Sequence, residues 1–312
     1  MVEGEIRDDS LLVFIYELDK EDELFDESVW IKANPNLGVS VDLDYLRAQV
    51  NEAKHKPTAK NKFERYHANR TVTAIDTPID LVRWDEVAIG ELTPWSDAAK
   101  VGIGVDLGGH DDLASYAIAT AFEVDRKDIQ LPDGTIVEDI QYRYEVASKS
   151  FISEDTPRDL TQEPWASWIR EGKLAVSDQV HRALRESLVI EAQRVGCQWV
   201  CYDPYQAAAL AEMLKMEGMS PVKMPQNHAN FSETIDTMLS ALAEGRFQPL
   251  ASDAVLRWAA SNVALRMNPQ GQAMCDKAKS KEKIDPIVAM LMAMRALTYD
   301  QGRVDPLSLF VS

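Results

Sequence analysis

The sequence predicts an α/β chain: a mixed β-sheet flanked by helices, preceded by a mainly helical N-terminal segment. Three observations carry this. From Val101 onward, apolar β-type runs are first linked as hairpins and then alternate with helical stretches, the pattern of a mixed sheet with helices on its faces. Before residue 98 the apolar spacing is mostly helical and the composition acidic. With 46% hydrophobic and 27% charged residues among 312, the composition is that of a folded globular chain. The length suits about two domains of ~150 residues, placed at 1–98 and 99–312.

The N-terminal elements follow in order. Leu11 to Tyr16 reads as a buried strand inside a strongly acidic stretch that includes Asp19, Glu21, Asp22, Glu23, Asp26 and Glu27. Asn34-Pro35-Asn36 and Gly38 mark a turn. Asp42 or Asp44 can cap a helix carrying Leu46, Val50 and Ala53 that stops before Pro57. A second helix has Phe63 and Tyr66 on one face. Residues 71–99, with Trp84 and Trp95, read as a packed linker.

The second half begins with the strand Val101-Gly-Ile-Gly-Val-Asp106. A turn at Gly108-Gly109-His110-Asp111-Asp112 leads into a strand over Leu113–Phe122, and a third strand spans Tyr142–Phe151. Pro132-Asp133-Gly134 between them is a hairpin turn signal. Trp165 and Trp168 read as packing for the insertion that follows. Helices are expected over Val180–Val195, Pro204–Glu217, Phe231–Glu244, Ala254–Leu265 and Pro286–Tyr299. Short strands are expected at Gln198–Tyr202 and Pro221–Met224.

Composition also excludes functions. The net charge of −18, from 33 basic and 51 acidic residues, argues against a chain that coats nucleic acid by general attraction to phosphates. No span approaches the ~20 apolar residues of a membrane helix, and the acidic start lacks a signal-peptide pattern. Three cysteines, 197, 201 and 275, do not make a disulfide scaffold and suit a reducing compartment. Cys197 and Cys201 lack zinc-pair spacing and read as core. His55, His67, His181 and His228 show no paired spacing. There is neither a Gly-x-Ser-x-Gly elbow nor a Gly-x4-Gly-Lys-Ser/Thr phosphate loop.

Three aspartates share a position in this pattern. Asp106 ends the first strand of the second half, Asp203 ends the strand before Pro204, and Asp285 stands before Pro286 at a helix start. Strand ends and helix starts gather at one edge of such a sheet, where sites form. Neighbouring strands lie ~4.8 Å apart, so carboxylates ending them can share a divalent ion. Mg2+ takes oxygen ligands in octahedral geometry, and two such ions about 3.5–4 Å apart support phosphodiester hydrolysis. The alternative is structural: Asp203-Pro204 and Asp285-Pro286 are also what a helix cap followed by Pro looks like, and Asp106 could open a turn.

The run Asp106-Leu107-Gly108-Gly109-His110-Asp111-Asp112-Leu113-Ala114, then Tyr202-Asp203-Pro204, then Lys283-Ile284-Asp285-Pro286 with Ala289, resembles the nuclease domain of large terminase subunits of tailed bacteriophages. Upstream, Phe25-Asp26-Glu27, Trp30 to Gly38 and Phe63…His67-Ala68-Asn69 are similar to the segment that precedes that nuclease core. The resemblance covers nearly the whole chain, in order. It implies a ribonuclease-H-like fold and a metal-dependent endonuclease cutting concatemeric double-stranded viral DNA during packaging. It implies that Asp106, Asp203 and Asp285 are catalytic and hold Mg2+ or Mn2+, two ions in all. Asp112 matches an acid that follows the first ligand, as a further ligand or a turn-stabilising residue, and His110 stands where it could touch phosphate. The implied partners are viral DNA, the portal protein, the small terminase subunit and an ATPase domain that this chain lacks. The implied setting is the host bacterial cytoplasm, with no membrane. ATP hydrolysis by this chain is not expected.

Lys277, Lys279, Lys281 and Lys283 stand at alternate positions just ahead of Asp285, the obvious phosphate-facing patch on an acidic chain, or else a solvated loop. Two other readings compete with the nuclease. Val105-Asp106-Leu107-Gly108-Gly109 resembles the phosphate hairpin of actin-like ATPases and sugar kinases, a fold that needs a second such half, absent after residue 200. The other is a non-catalytic docking module in which the acids only cap helices.

Overall fold

A computed structural model describes residues 14–19, 21–55, 57–70, 78–108, 113–130, 136–197, 199–205, 208–280 and 282–299. The chain parts into two compact units, residues 1–75 and 76–312.

In the first unit, α1 (Trp30–Ala33), α2 (Leu43–His55) and α3 (Pro57–Tyr66) gather around a small apolar centre. Leu46, Val50 and Ala53 face inward at the helical spacing seen in the sequence, against Trp30, Phe63, Leu18 and Leu24. Asn34 and Asn69 staple this unit. Asn34 Nδ2 donates to the His67 carbonyl at 2.7 Å, and Asn69 Nδ2 to Tyr16 and Ala33 carbonyls at 3.0 and 2.9 Å. Two expectations fail here. Leu11, Leu12 and Val13 lie outside the described residues, while Phe14, Ile15 and Tyr16 are exposed and pair with no strand among the described residues. Phe63 is buried but Tyr66 is exposed.

In the second unit, α4 (Leu81–Val87) begins on an Asp80 cap and buries Trp84 against Phe247. Residues 78–98, expected with the N-terminal segment, thus pack into the second unit. The sheet is built from β1 (Lys100–Asp106), β2 (Ala114–Gln130) and β3 (Ile136–Ser153), then α5 (Trp165–Arg170), β4 (Leu174–Ser177), α6 (Val180–Arg194), β5 (Trp199–Tyr202), α7 (Ala208–Met216) and β6 (Ser220–Lys223). There follow α8 (His228–Ala243), β7 (Phe247–Pro249), α9 (Ala254–Asn262), the hairpin β8 (Leu265–Met267) and β9 (Ala273–Cys275), and α10 (Asp285–Ala296). Among the described residues the main sheet runs β4-β3-β2-β1-β5-β6, with β7 also on β3. β1, β2 and β3 are antiparallel; β5 joins β1 and β6 joins β5 in parallel. This is the expected mixed sheet.

Alternation along the strands divides the core in two. Ile103, Val105, Tyr116, Ile118 and Val200 face α6 and α7. Ala117, Ala119, Val146 and Cys201 face α8, α9 and α10. Trp165 and Trp168 pack edge-on with Trp258 at 5.3 and 5.6 Å between ring centroids, bearing out their packing role. Cys197 and Cys201 are buried core residues, as expected. The largest departure is length. β2 and β3 continue past the end of β1 as a two-stranded arm, pairing Phe122 with Arg143 and on to Gln130 with Ile136. Pro132-Asp133-Gly134 lie outside the described residues. The expected C-terminal end of the helix at Leu265 also moves: α9 stops at Asn262, and Leu265 opens β8.

Candidate metal centre

Gly102, Gly104 and Asp106 share one face of β1, and α10 lies directly across it. A Cβ on Gly104 would stand 2.1 Å from the Ala289 carbonyl, and one on Gly102 would stand 2.4 Å from that of Ala293. The helix backbone therefore touches the strand backbone, which only glycine permits. As the strand advances from 102 to 104, the facing helix residues go from 293 back to 289, so the two run antiparallel. The same steps carried on to Asp106 bring it to the start of α10, where Asp285 sits just before Pro286. Two acids remote in sequence thus arrive at one edge of the sheet.

Both are buried, Asp106 at 4% exposure and Asp285 at 2%. Between them lies the ammonium of Lys277: Nζ donates to Asp106 Oδ2 at 2.7 Å and to Asp285 Oδ1 at 2.9 Å. The second oxygen of Asp285, Oδ2, is buried and finds no hydrogen-bond partner among the described residues. Burial pushes the Asp106 carboxyl up to about 6; Lys277 opposes that rise, while the charges of Asp285 and Asp203 add to it. Partial desolvation of its ammonium works against the charge of Lys277, yet the two carboxylates hold it protonated beyond the usual lysine range.

Asp203 comes one residue after the pair Val105 and Tyr202 in the parallel β1–β5 register, beside the end of β1. Its Oδ1 accepts the Tyr205 N–H at 3.0 Å, closing its own turn. The structure therefore brings Asp106 and Asp285 together through Lys277 and sets Asp203 near enough for Asp106 to feel its charge. Among the described residues, no three His, Cys, Asp or Glu side chains are grouped closely enough to hold a metal. Asp112, His110 and Lys281 lie outside the described residues. Lys279 is exposed and Lys283 half-buried, so the lysine run does not form one outward patch: Lys277 turns in to the acids.

The turn carrying Lys277 is tightly built. Buried Asp276 accepts the N–H groups of Ala278 and Lys279 on Oδ1 at 3.1 and 3.2 Å. Ser280 Oγ donates to the Asp276 carbonyl at 2.7 Å and accepts the Ala264 N–H at 3.1 Å. The β8–β9 hairpin, with Leu265 opposite Cys275, delivers this turn to the sheet edge. On the other side, His181 Nε2 donates to the Leu107 carbonyl at 3.1 Å, fixing the chain just after Asp106. Sequence reading missed both roles. No sequence signal set either residue apart: Lys277 follows Asp276 as one of several alternating lysines, and His181 has no paired spacing.

Fold and site together define a ribonuclease-H-like α/β domain with an acid pair at the sheet edge. The profile of the family described as "Terminase large subunit, endonuclease domain" matches residues 5–300, and the chain belongs to that family. Protein YmfN of Escherichia coli K12 is 27% identical over 96% of this chain and 66% of its own length. The terminase large subunit of Enterobacteria phage HK97 is 25% identical over 93% of this chain and 55% of its own. The crystal structure of the HK97 large terminase shares the fold, with a TM-score of 0.57 and 22% identity over 90% of this chain and 56% of that one. The chain thus spans between about half and two thirds of the length of these relatives.

Proposed function

We propose that this chain is the metal-dependent endonuclease of a viral DNA-packaging terminase, cutting concatemeric double-stranded DNA. The single observation that carries this is the buried pair Asp106 and Asp285, which converge on one cation-sized space while Asp285 Oδ2 has no partner among the described residues. A hard divalent cation is the natural occupant of such oxygens, so the residues present fit Mg2+ or Mn2+. Asp106 and Asp285 would hold it; Asp203, which stands beside the end of β1 but is not grouped with them, would have to close in from its own turn to serve as the third ligand. Bound there, two such ions would supply Lewis-acid activation of a water and charge stabilisation at the scissile phosphate and the leaving oxygen.

The protein's own part is to orient these carboxylates and shield them from bulk water, with Lys277 opposing the burial that disfavours the charge of Asp106. The β1–α10 contact sets their spacing, and His181 fixes the backbone beyond Asp106. Lys279 and Lys283 offer local positive charge on a chain whose net −18 disfavours DNA elsewhere. Weak DNA affinity on its own suits a nuclease held to its substrate by a motor. In that motor its partners are an ATPase domain, the portal protein and the small terminase subunit, in the host bacterial cytoplasm. No helix among the described residues is long and apolar enough to cross a membrane.

The test is plasmid cleavage with Mn2+ or Mg2+ by wild type and by D106A, D203A and D285A. Each substitution is expected to lower the rate at least about 100-fold. Full activity in all three folded variants would refute the reading. ATP binding measured by calorimetry separates it from the actin-like alternative. Absence of any stabilisation by Mn2+ would favour the docking module.

A further inference from the structure

The acid pair already holds a cation, and it belongs to the chain. Resting on the metal-dependent reading above, we propose that Lys277 is the resident counter-ion of Asp106 and Asp285, and that a divalent ion enters by displacing its ammonium. Four observations lead there. Nζ contacts one oxygen of each carboxylate, so it occupies the space that a shared metal would need. Two carboxylates this buried cannot both stay charged without a neighbouring cation, so something positive must stand between them whenever metal is absent. The turn around Lys277 is fixed by Asp276 and Ser280, so its aim is part of the fold. Finally, the fit is incomplete. The ammonium satisfies one oxygen of Asp285 and leaves Oδ2 without a partner among the described residues, whereas a six-coordinate ion draws on more oxygens.

Displacement does not require the turn to open. The Lys277 side chain is 40% exposed, and its flexible four-carbon stem lets the ammonium swing toward solvent while the backbone stays in place. Metal loading is therefore an exchange of one cation for another. Its apparent affinity is weaker than the carboxylates alone would provide, and in the metal-free site the ammonium offsets one of the two carboxylate charges.

The experiment measures Mn2+ binding by calorimetry on the full 312-residue chain, as wild type, K277M and K279M. K277M should bind Mn2+ at least tenfold more tightly than wild type, and in EDTA it should melt below wild type, with Mn2+ closing that gap. K279M removes a nearby charge that does not touch the acids and should change affinity less than threefold. A second measurement needs no variant and stands even where K277M fails to fold. Acetylation of Lys277, followed by mass spectrometry against Lys127 as reference, should speed up several-fold when Mn2+ is added. Equal or weaker Mn2+ binding by folded K277M, or an unchanged Lys277 acetylation rate in Mn2+-bound wild type, overturns the exchange and leaves the metal site standing. Absence of Mn2+ binding in both proteins overturns the metal reading, and this inference with it.

Discussion

Lys277 and Asp106 are 171 positions apart in the chain, yet their charged ends meet at 2.7 Å. The meeting depends on a backbone contact elsewhere: Gly102 and Gly104 let α10 lie flat on β1, which places Asp285 beside Asp106 for Lys277 to bridge.

That contact makes Gly104 the most sensitive glycine in the described structure. A methyl there would overlap the Ala289 carbonyl, the Ala293 nitrogen and Met292 Cβ, all within 2.6 Å. None of these can move without shifting the helix. G104A is expected to lower stability by about 3 kcal/mol or more in urea unfolding. G90A, with nothing within 4 Å of its new Cβ, should stay within about 0.5 kcal/mol of wild type. Equal effects would mean that the helix does not rest on the strand.

The pH dependence of metal-free stability has a definite sign. Asp106 is buried and its carboxyl is pushed up to about 6, so the folded chain holds its proton more tightly than the unfolded one. This group's contribution is greatest below about pH 4 and is lost as pH rises toward 6. Asn is neutral throughout. In EDTA, D106N should therefore show a flatter urea midpoint than wild type across that window, and parallel profiles would contradict the assignment.

Asp253 fastens α9 to the sheet. Its Oδ1 accepts the Leu256 N–H at 3.0 Å, while Oδ2 accepts the N–H and hydroxyl of Ser148 at 2.6 and 2.8 Å. D253A removes a helix cap and strands a strand N–H, so a loss of about 2–4 kcal/mol is expected by thermal or urea unfolding. S148A, which keeps both backbone contacts, should be several-fold milder.

The three cysteines should be inert in the native state. Burial pushes the Cys197 and Cys275 thiols up to about 12 and raises that of Cys201 as well. Iodoacetamide at about pH 8 should label them slowly, and rapidly once urea is added. Fast labelling of Cys275 alone would reveal that the β8–β9 hairpin opens.

Much of this was legible in the sequence because burial leaves a pattern. The run from Val101 to Asp106, the Leu184–Leu188–Ala192 stripe of α6 and the apolar α10 were all readable, being packed on at least one face. The outer half of β2 and β3 was not, since Glu123, Arg126, Lys127 and Glu138 bathe in solvent and leave no apolar alternation. β7 and β8 span three residues each, too few for any period. At the site, Asp106 and Asp285 could be picked out because a strand end and a helix start announce themselves. Lys277 could not be separated from its neighbours Lys279 and Lys283, because what distinguishes it is the fold of the hairpin behind it.

The strand–helix joint also limits how such a chain can change over time. Two residues of β1 advance about 6.7 Å and four residues of α10 about 6 Å, so contacts recur in step along both. Adding or deleting one residue in α10 ahead of Ala289 would turn Asp285 by about 100° out of phase, away from Asp106 and Lys277 together. Insertions are therefore excluded from that stretch, and variation must fall on loops and on the β2–β3 arm, where length carries no such penalty.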